Sequence, residues 1–135
     1  MIDADVAVYA ATASGVCAAV SAARCGARVV VIEPGRHIGG MTSGGLGYTD
    51  IGDVRALGGM AAEFRVAVAE HYGVAVGHFA GPEPHVAEEI LTRWLDDAGV
   101  TVLLATAVES VEMRGERLHA VELADGNTLT ADVFV

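Results

Sequence analysis

Apolar residues in the first third of the chain fall into two short runs, separated by an alanine-rich stretch. Residues 5–9 and 28–33 are apolar segments bounded by turn residues, which is typical of buried strands. Between them, residues 16–24 place Val16 and Val20 at helical spacing, and Gly26 follows as a helix terminator. The pattern predicts a strand–helix–strand unit whose parallel strands are covered on both faces.

The rest of the chain predicts two more helices and four more strands. Residues 60–72 and 84–98 have helical patterns, and the second begins at a proline and ends before a glycine. Strands are expected at 100–105, 108–113, 117–123 and 128–135. The last three are separated by the turn signals "RGE" and "ADGN", so we predict that they form an antiparallel meander. The expected fold class is α/β, a parallel sheet with helices and a three-stranded antiparallel meander.

The last five residues, "ADVFV", predict a buried strand, and the sequence stops inside it. A domain seldom ends in mid-strand. We therefore expect residues 1–135 to be one domain at the N-terminal end of a longer chain.

Composition narrows the class of partner more than the class of reaction. The 135 residues carry a net charge of −10, and all eight basic residues are arginine. Such a chain is a poor match for nucleic acid or an anionic membrane surface. Cys17 and Cys25 would lie about 12 Å apart along one helix, too far for a disulfide, which fits a reducing, cytoplasmic setting. The charge-free residues 6–23 contain too much alanine and too many polar residues to suggest a membrane span.

The turn "YAATASG" stands where a dinucleotide-binding protein has its G-x-G-x-x-G motif. Here the motif reads A-x-T-x-x-G, so only Gly15 remains. Ala10 suits the turn if its φ is negative, and the Thr12 hydroxyl can donate a hydrogen bond to a phosphate oxygen. Glu33 ends the second strand eighteen positions after Gly15, where an acidic residue contacts the ribose. On these residues alone, a phosphate site at the helix N-terminus and a βαβ unit without a ligand both stay open.

A second candidate element is the glycine-rich loop of residues 34–59, which contains "RHIGGMTSGG". Loops of this length are uncommon in compact domains and are often functional. Consecutive glycines allow the backbone to approach a ligand closely. A flexible surface loop is the alternative.

Together these segments resemble the N-terminal region of the FAD-dependent oxidoreductases. The pattern of that family is D-V-V-V-Y-G-G-T-x-A-G, then V-I-E-P, then H-L-G-G-M-T-S-G-G-L-G. This chain has "DVAVYAATASG", "VIEP" and "HIGGMTSGGLG" in the same order, and "EPHVAEEIL" is similar to a second block of the family. The resemblance implies a Rossmann-like FAD-binding domain, with the substrate domain in C-terminal segments that this sequence lacks.

The resemblance also implies roles for individual residues, although it implies no catalytic residue. The ten residues expected at FAD are Ala10, Thr12, Ser14, Gly15, Glu33, Arg36, Gly39, Gly40, Met41 and Val108. The first four would surround the pyrophosphate, and the next two would hold the adenosine ribose. The following three would lie along the pyrophosphate and ribityl chain, and the last would contact adenine through its backbone. Ala10 and Ala11 depart from the family, which has glycine there.

The sequence therefore predicts the FAD-binding portion of a flavin-dependent oxidoreductase that acts on a small molecule of unknown identity. Two alternatives remain. One is an NAD-binding oxidoreductase domain, which Glu33 would suit, although the glycine block favours flavin. The other is a non-catalytic remnant that has lost the cofactor, which Ala10 motivates.

Other groups of polar residues are assigned to the surface. His71, His78 and His85 are spaced by seven, but glycines and prolines between them break any single helix, so we expect no metal site. Glu88 and Glu89 are neighbours on a helix and are expected on solvated faces, without a role in acid–base catalysis.

Overall fold

A computed structural model of the chain describes residues 1–48, 52–77 and 81–135. In these residues, six strands form one sheet, and helices pack on it. The strands are β1 Ile2–Tyr9, β2 Val29–Ile32, β3 Thr101–Leu103, β4 Val108–Arg114, β5 Arg117–Leu123 and β6 Thr128–Phe134. The helices are α1 Ala13–Arg24, α2 Gly59–Tyr72 and α3 Pro84–Asp97, with a short 3₁₀ helix at Val54–Ala56.

The strand order is β3-β2-β1-β6-β5-β4. The first four strands are parallel neighbours, with Val8 opposite Val31 in β2 and Ile2 opposite Leu129 in β6. β6, β5 and β4 are antiparallel neighbours. The predicted α/β class is therefore confirmed, with both a parallel sheet and a three-stranded meander. β6 belongs to both parts, because it pairs with β1 on one side and β5 on the other.

Two apolar cores lie on opposite faces of the parallel strands. On one face, Val29 and Val31 of β2 pack with residues of α1 and α3. On the other face, Val30 and Ile32 pack with residues of β5 and β6, since the meander covers that side. All four residues of β2 are buried, which explains why its sequence is continuously apolar and does not alternate.

The last residues depart from the expectation of a buried strand. β6 includes all of them except Val135, but Val133 and Val135 are 51% and 61% exposed. α1 packs over β1 and β2, and α3 packs against β3. Val133 lies opposite Val6 of β1, on the far side of that strand from β2. Its position beyond the helix-covered strands accounts for its exposure.

Capping residues determine where α1 begins and ends, and the observed start differs from the one that periodicity predicts. The helix begins at Ala13, three residues before the predicted start, because Thr12 accepts a hydrogen bond from the N–H of Gly15. It ends at Arg24 with Cys25 as its C-terminal cap, and Gly26 follows with a φ of +91°. No helix among the described residues is both long enough and apolar enough to cross a bilayer.

Candidate functional site

The turn between β1 and α1 brings strand and helix into direct backbone contact. A Cβ added to Gly15 would lie 2.1 Å from the carbonyl oxygen of Ala10, so only glycine fits there. The φ of Ala10 is +79°, which contradicts the negative value that would have made alanine suitable. An alanine in this left-handed region is strained by about 1–2 kcal/mol. The backbone thus has the conformation that a glycine would favour, although the glycine is missing.

Thr12 has two contacts that explain how a β-branched residue fits this turn. Its Oγ1 accepts from the N–H of Gly15 at 3.1 Å and lies 3.0 Å from the hydroxyl oxygen of Ser14. Its methyl side lies against Gly40, where an added Cβ would be 3.3 Å from the threonine Cγ2. The N–H of Ser14 has no acceptor among the described residues. A first-turn N–H of this kind, at the positive end of a helix dipole, is a donor for an anion.

Glu33 connects the end of β2 to this turn. One carboxylate oxygen accepts from the N–H of Ala11 at 2.7 Å, and the other accepts from the N–H of Gly35 at 2.6 Å. Each carboxylate oxygen has a second lone pair, so a ribose hydroxyl can still donate to it. Glu33 therefore has a structural role as well as the expected position beside the turn.

The glycine-rich loop docks on the same turn. The N–H of Gly39 donates to the carbonyl oxygen of Ala11 at 2.7 Å, and Thr12 and Gly39 form a parallel bridge. Gly39 and Gly40 have φ values of +109° and +55°, which explains why this loop needs glycines. The Ser43 hydroxyl donates to the carbonyl oxygen of Ile38 and closes the loop. We call residues 10–15, Glu33 and residues 38–43 the cradle.

Glu88 is a residue of the site that sequence analysis missed. It accepts from the N–H of Ile38 at 2.9 Å, and its carboxylate lies 3.2 Å from His37 Nδ1. Its side chain is only 30% exposed, so the expectation of a solvated face was wrong for this residue. A signal was present, because Glu88 precedes the buried Leu91 and Leu95 by three and seven positions and shares their helix face.

The structure places the remaining predicted residues within the cradle or beside it. Arg36 is exposed and has no ion pair with a described residue, and the side chain of Met41 is 75% exposed. The N–H groups of Ala105 and Thr106 donate to the carbonyl oxygens of Gly35 and Glu33. These bonds bring the segment that leads into Val108 alongside the end of β2.

The histidines form no common site in the described residues. The ring of His71 meets that of Tyr72 edge to face, and His85 lies in the first turn of α3. His78 lies outside the described residues. Within the described ranges, no three His, Cys, Asp or Glu side chains are grouped so that they could hold a metal ion.

Comparisons with known proteins identify similar sequences and folds. A family model described as FAD dependent oxidoreductase matches residues 5–135, and no curated protein matches the sequence. A flavin-containing monooxygenase from Stenotrophomonas maltophilia is similar, with 19% identity and a TM-score of 0.64, over 99% of this chain and 38% of its own. L-proline dehydrogenase from P. horikoshii has 13% identity and a TM-score of 0.69, over 98% and 52% of the two chains.

A thioredoxin reductase from T. acidophilum has 20% identity and a TM-score of 0.58, over 99% of this chain and 34% of its own. All three similarities are similarities of fold. The chain spans about a third to about half of the length of each of these structures.

Proposed function

The chain belongs to the FAD-dependent oxidoreductase family, and we propose that its cradle binds the adenosine-pyrophosphate half of FAD. The observation that carries the proposal is the junction at Ala11. Its N–H donates to Glu33 and its carbonyl oxygen accepts from Gly39. One residue thus joins the turn, the acidic end of β2 and the glycine-rich loop at the N-terminus of α1.

Each part of the cradle offers a different group to the cofactor. The N–H of Ser14 and the hydroxyl of Thr12 are donors for the pyrophosphate. Glu33 has lone pairs for the ribose hydroxyls, and Arg36 supplies an exposed positive charge beside it. The backbone before Val108 borders the adenine end. Gly39, Gly40 and Met41 lie where the pyrophosphate and ribityl chain would pass.

The residues of the chain bind and orient the cofactor in this proposal. The chemistry that FAD supplies when bound is the transfer of a hydride or an electron pair. Glu33 fixes the turn between β1 and α1, and Glu88 fixes the glycine-rich loop, so that the cofactor binds a preformed site. The proposed substrate is a small molecule and the proposed electron acceptor is a redox partner, and neither is assigned an identity.

Titration with FAD, followed by flavin fluorescence, tests the proposal. We expect saturable binding to the folded chain. ADP should displace FAD, because it carries the half that the cradle holds, whereas riboflavin should not. Displacement of FAD by NADH would favour the NAD-binding alternative, and no FAD binding by a folded chain would contradict the proposal.

A charge substitution adds a second test that leaves the fold intact. Arg36→Gln removes an exposed arginine that has no ion pair with a described residue, and it should weaken FAD binding about threefold. Arg93→Gln is the matched control, because Arg93 is also exposed and also lacks an ion pair in the described part of the chain. Equal affinities for the two variants would argue against a role for Arg36.

A further inference from the structure

A cavity of about 330 Å³ lies between the three helices and the glycine-rich loop. Its walls are mainly apolar, and the large apolar side chains among the lining residues are Leu57, Met60, Phe64, Val68, Leu91 and Trp94. Phe64 and Trp94 meet edge to face, with ring centroids 6.1 Å apart. Small-molecule sites have volumes of roughly 300–1,000 Å³, so this cavity suits a ligand at the small end of that range.

Among the lining residues that the structure describes, one side chain is cationic. Arg65 of α2 is partly buried, and it has no ion pair or hydrogen bond with any residue in the described ranges. One of its terminal nitrogens is 3.7 Å from the position that a Cβ would take on Gly77, which lines the same cavity. By contrast, Arg24 of α1 pairs with Glu63 of α2 at 3.0 Å. A partly buried guanidinium without an acceptor favours an anionic ligand.

The other polar side chains that line the cavity in the described part of the chain are neutral. Ser14 and Thr42 border the cavity on the side of the cradle, and Cys17 lies in its wall one helical turn after Ala13. Burial raises the pKa of the Cys17 thiol, and the negative charge of Glu63 raises it further. The thiol is therefore protonated at neutral pH. Arg65 is the charged group among the described lining residues, so its positive charge decides the class of ligand.

We infer that this cavity binds a small organic anion, with an apolar body against the aromatic wall and one carboxylate or sulfonate paired with Arg65. The chain as a whole carries a net charge of −10, which disfavours anions at long range. Selection for an anion must therefore come from Arg65 at close range. The inference goes beyond the proposed function, because the site does not require FAD and is tested without it.

Calorimetric titration with octanoate and its neutral analogue 1-octanol tests the inference. Octanoate should bind the wild-type chain saturably, and Arg65→Met should weaken it about tenfold. The affinity for 1-octanol should be the same in both proteins. Arg65→Lys should restore part of the octanoate affinity, which separates loss of charge from loss of fold. Arg93→Met is the control for removing an arginine outside the cavity.

Alkylation of Cys17 locates the ligand. Octanoate should slow the reaction of Cys17 with iodoacetamide, whereas exposed Cys25 at the end of α1 should be unaffected. The inference is overturned if octanoate does not bind saturably, if Arg65→Met and Arg93→Met have equal effects, or if Cys17 is not protected. FAD binding is measured separately, so either proposal can fail while the other stands.

Discussion

The cradle and the meander of β4, β5 and β6 are held together by different kinds of bond. In the cradle, Glu33 accepts from the N–H of Ala11, which is 22 positions away, and Glu88 accepts from the N–H of Ile38, which is 50 positions away. In the meander, backbone ladder bonds join neighbouring strands. Its second turn is closed locally, since the N–H of Gly126 donates to the carbonyl oxygen of Leu123 at 2.8 Å.

The difference indicates where a single substitution should matter. A side chain that accepts from a partly buried N–H cannot be removed without leaving that donor unpaired, which costs about 1–3 kcal/mol. A ladder bond survives most side-chain changes because both of its partners are backbone groups. We therefore expect the cradle to be more sensitive to substitution than the meander.

The largest effect is expected from Gly15→Ala. The added Cβ would lie 2.1 Å from the carbonyl oxygen of Ala10, so strand and helix must separate, and the free energy of unfolding should fall by about 3 kcal/mol. Gly126 in the meander has a left-handed φ of +82°, but no described atom lies within 4 Å of an added Cβ. Gly126→Ala should therefore lower the free energy of unfolding by only about 1 kcal/mol. Urea denaturation measures both values.

A matched control for these two substitutions is Gly52→Ala, at an exposed glycine where no described residue lies within 4 Å of the added Cβ. Its effect should stay within about 0.5 kcal/mol. If Gly15→Ala were no more damaging than Gly126→Ala, the proposed contrast between the two regions would be wrong.

The second effect in size is expected from Glu88→Ala. The N–H of Ile38 would lose its acceptor in a partly buried position, so the free energy of unfolding should fall by about 2 kcal/mol. Glu89→Ala removes the same group from the next, exposed position and should change stability little. Thermal or urea denaturation distinguishes the two variants, and equal losses would show that Glu88 does not anchor the loop.

A smaller effect of opposite sign is expected from Ala10→Gly. The φ of +79° costs an alanine about 1–2 kcal/mol and costs a glycine almost nothing, so the variant should be more stable by about 1 kcal/mol. Ala124→Gly, at a turn residue of the meander without a left-handed φ, should give no gain. A loss of stability in Ala10→Gly would show that the strain assigned to this position is absent.

The smallest effect is expected at the second turn of the meander. The Asp125 carboxyl group accepts hydrogen bonds from the side chain and from the N–H of Asn127. Both bonds lower the pKa of Asp125, and the side-chain bond has the larger effect. A lowered folded-state pKa stabilises the fold above the unfolded pKa, and this contribution is lost as the pH falls through the folded value. An NMR titration should find the Asp125 midpoint below its ordinary value, and Asn127→Ala should move it back.

Periodicity and turn residues were enough to predict the elements of the fold. The continuous apolar run of β2 predicted burial on both faces, and "RGE" and "ADGN" predicted the two turns of the meander. The place of β6 in the middle of the sheet was not predicted, because its pairing with β1 joins residues far apart in the chain and leaves no local pattern.

The candidate site was predictable as a set of residues and not as a network. Motif spacing indicated the turn, Glu33 and the glycine-rich loop. It did not indicate that Ala11, within the turn, is bonded to both Glu33 and the glycine-rich loop. The hydrogen bonds of Ala11 are made by its backbone N–H and carbonyl groups, which nearly every residue has. Glu88 was missed because an acidic residue beside another on a helix was assigned to solvent. Its spacing from Leu91 and Leu95, which places all three residues on one helix face, would have predicted its partial burial.

The shared strand β6 also has a consequence for the order in which the protein can assemble. The Thr130 hydroxyl donates to the carbonyl oxygen of Ile2, 128 positions away, and the two strands are neighbours in the middle of the sheet. A ribosome must therefore release nearly all of these residues before β1 gains its second neighbour. Closing so large a loop is slow, so β1, β2 and α1 must wait as a partly formed unit with one side of β1 unpaired.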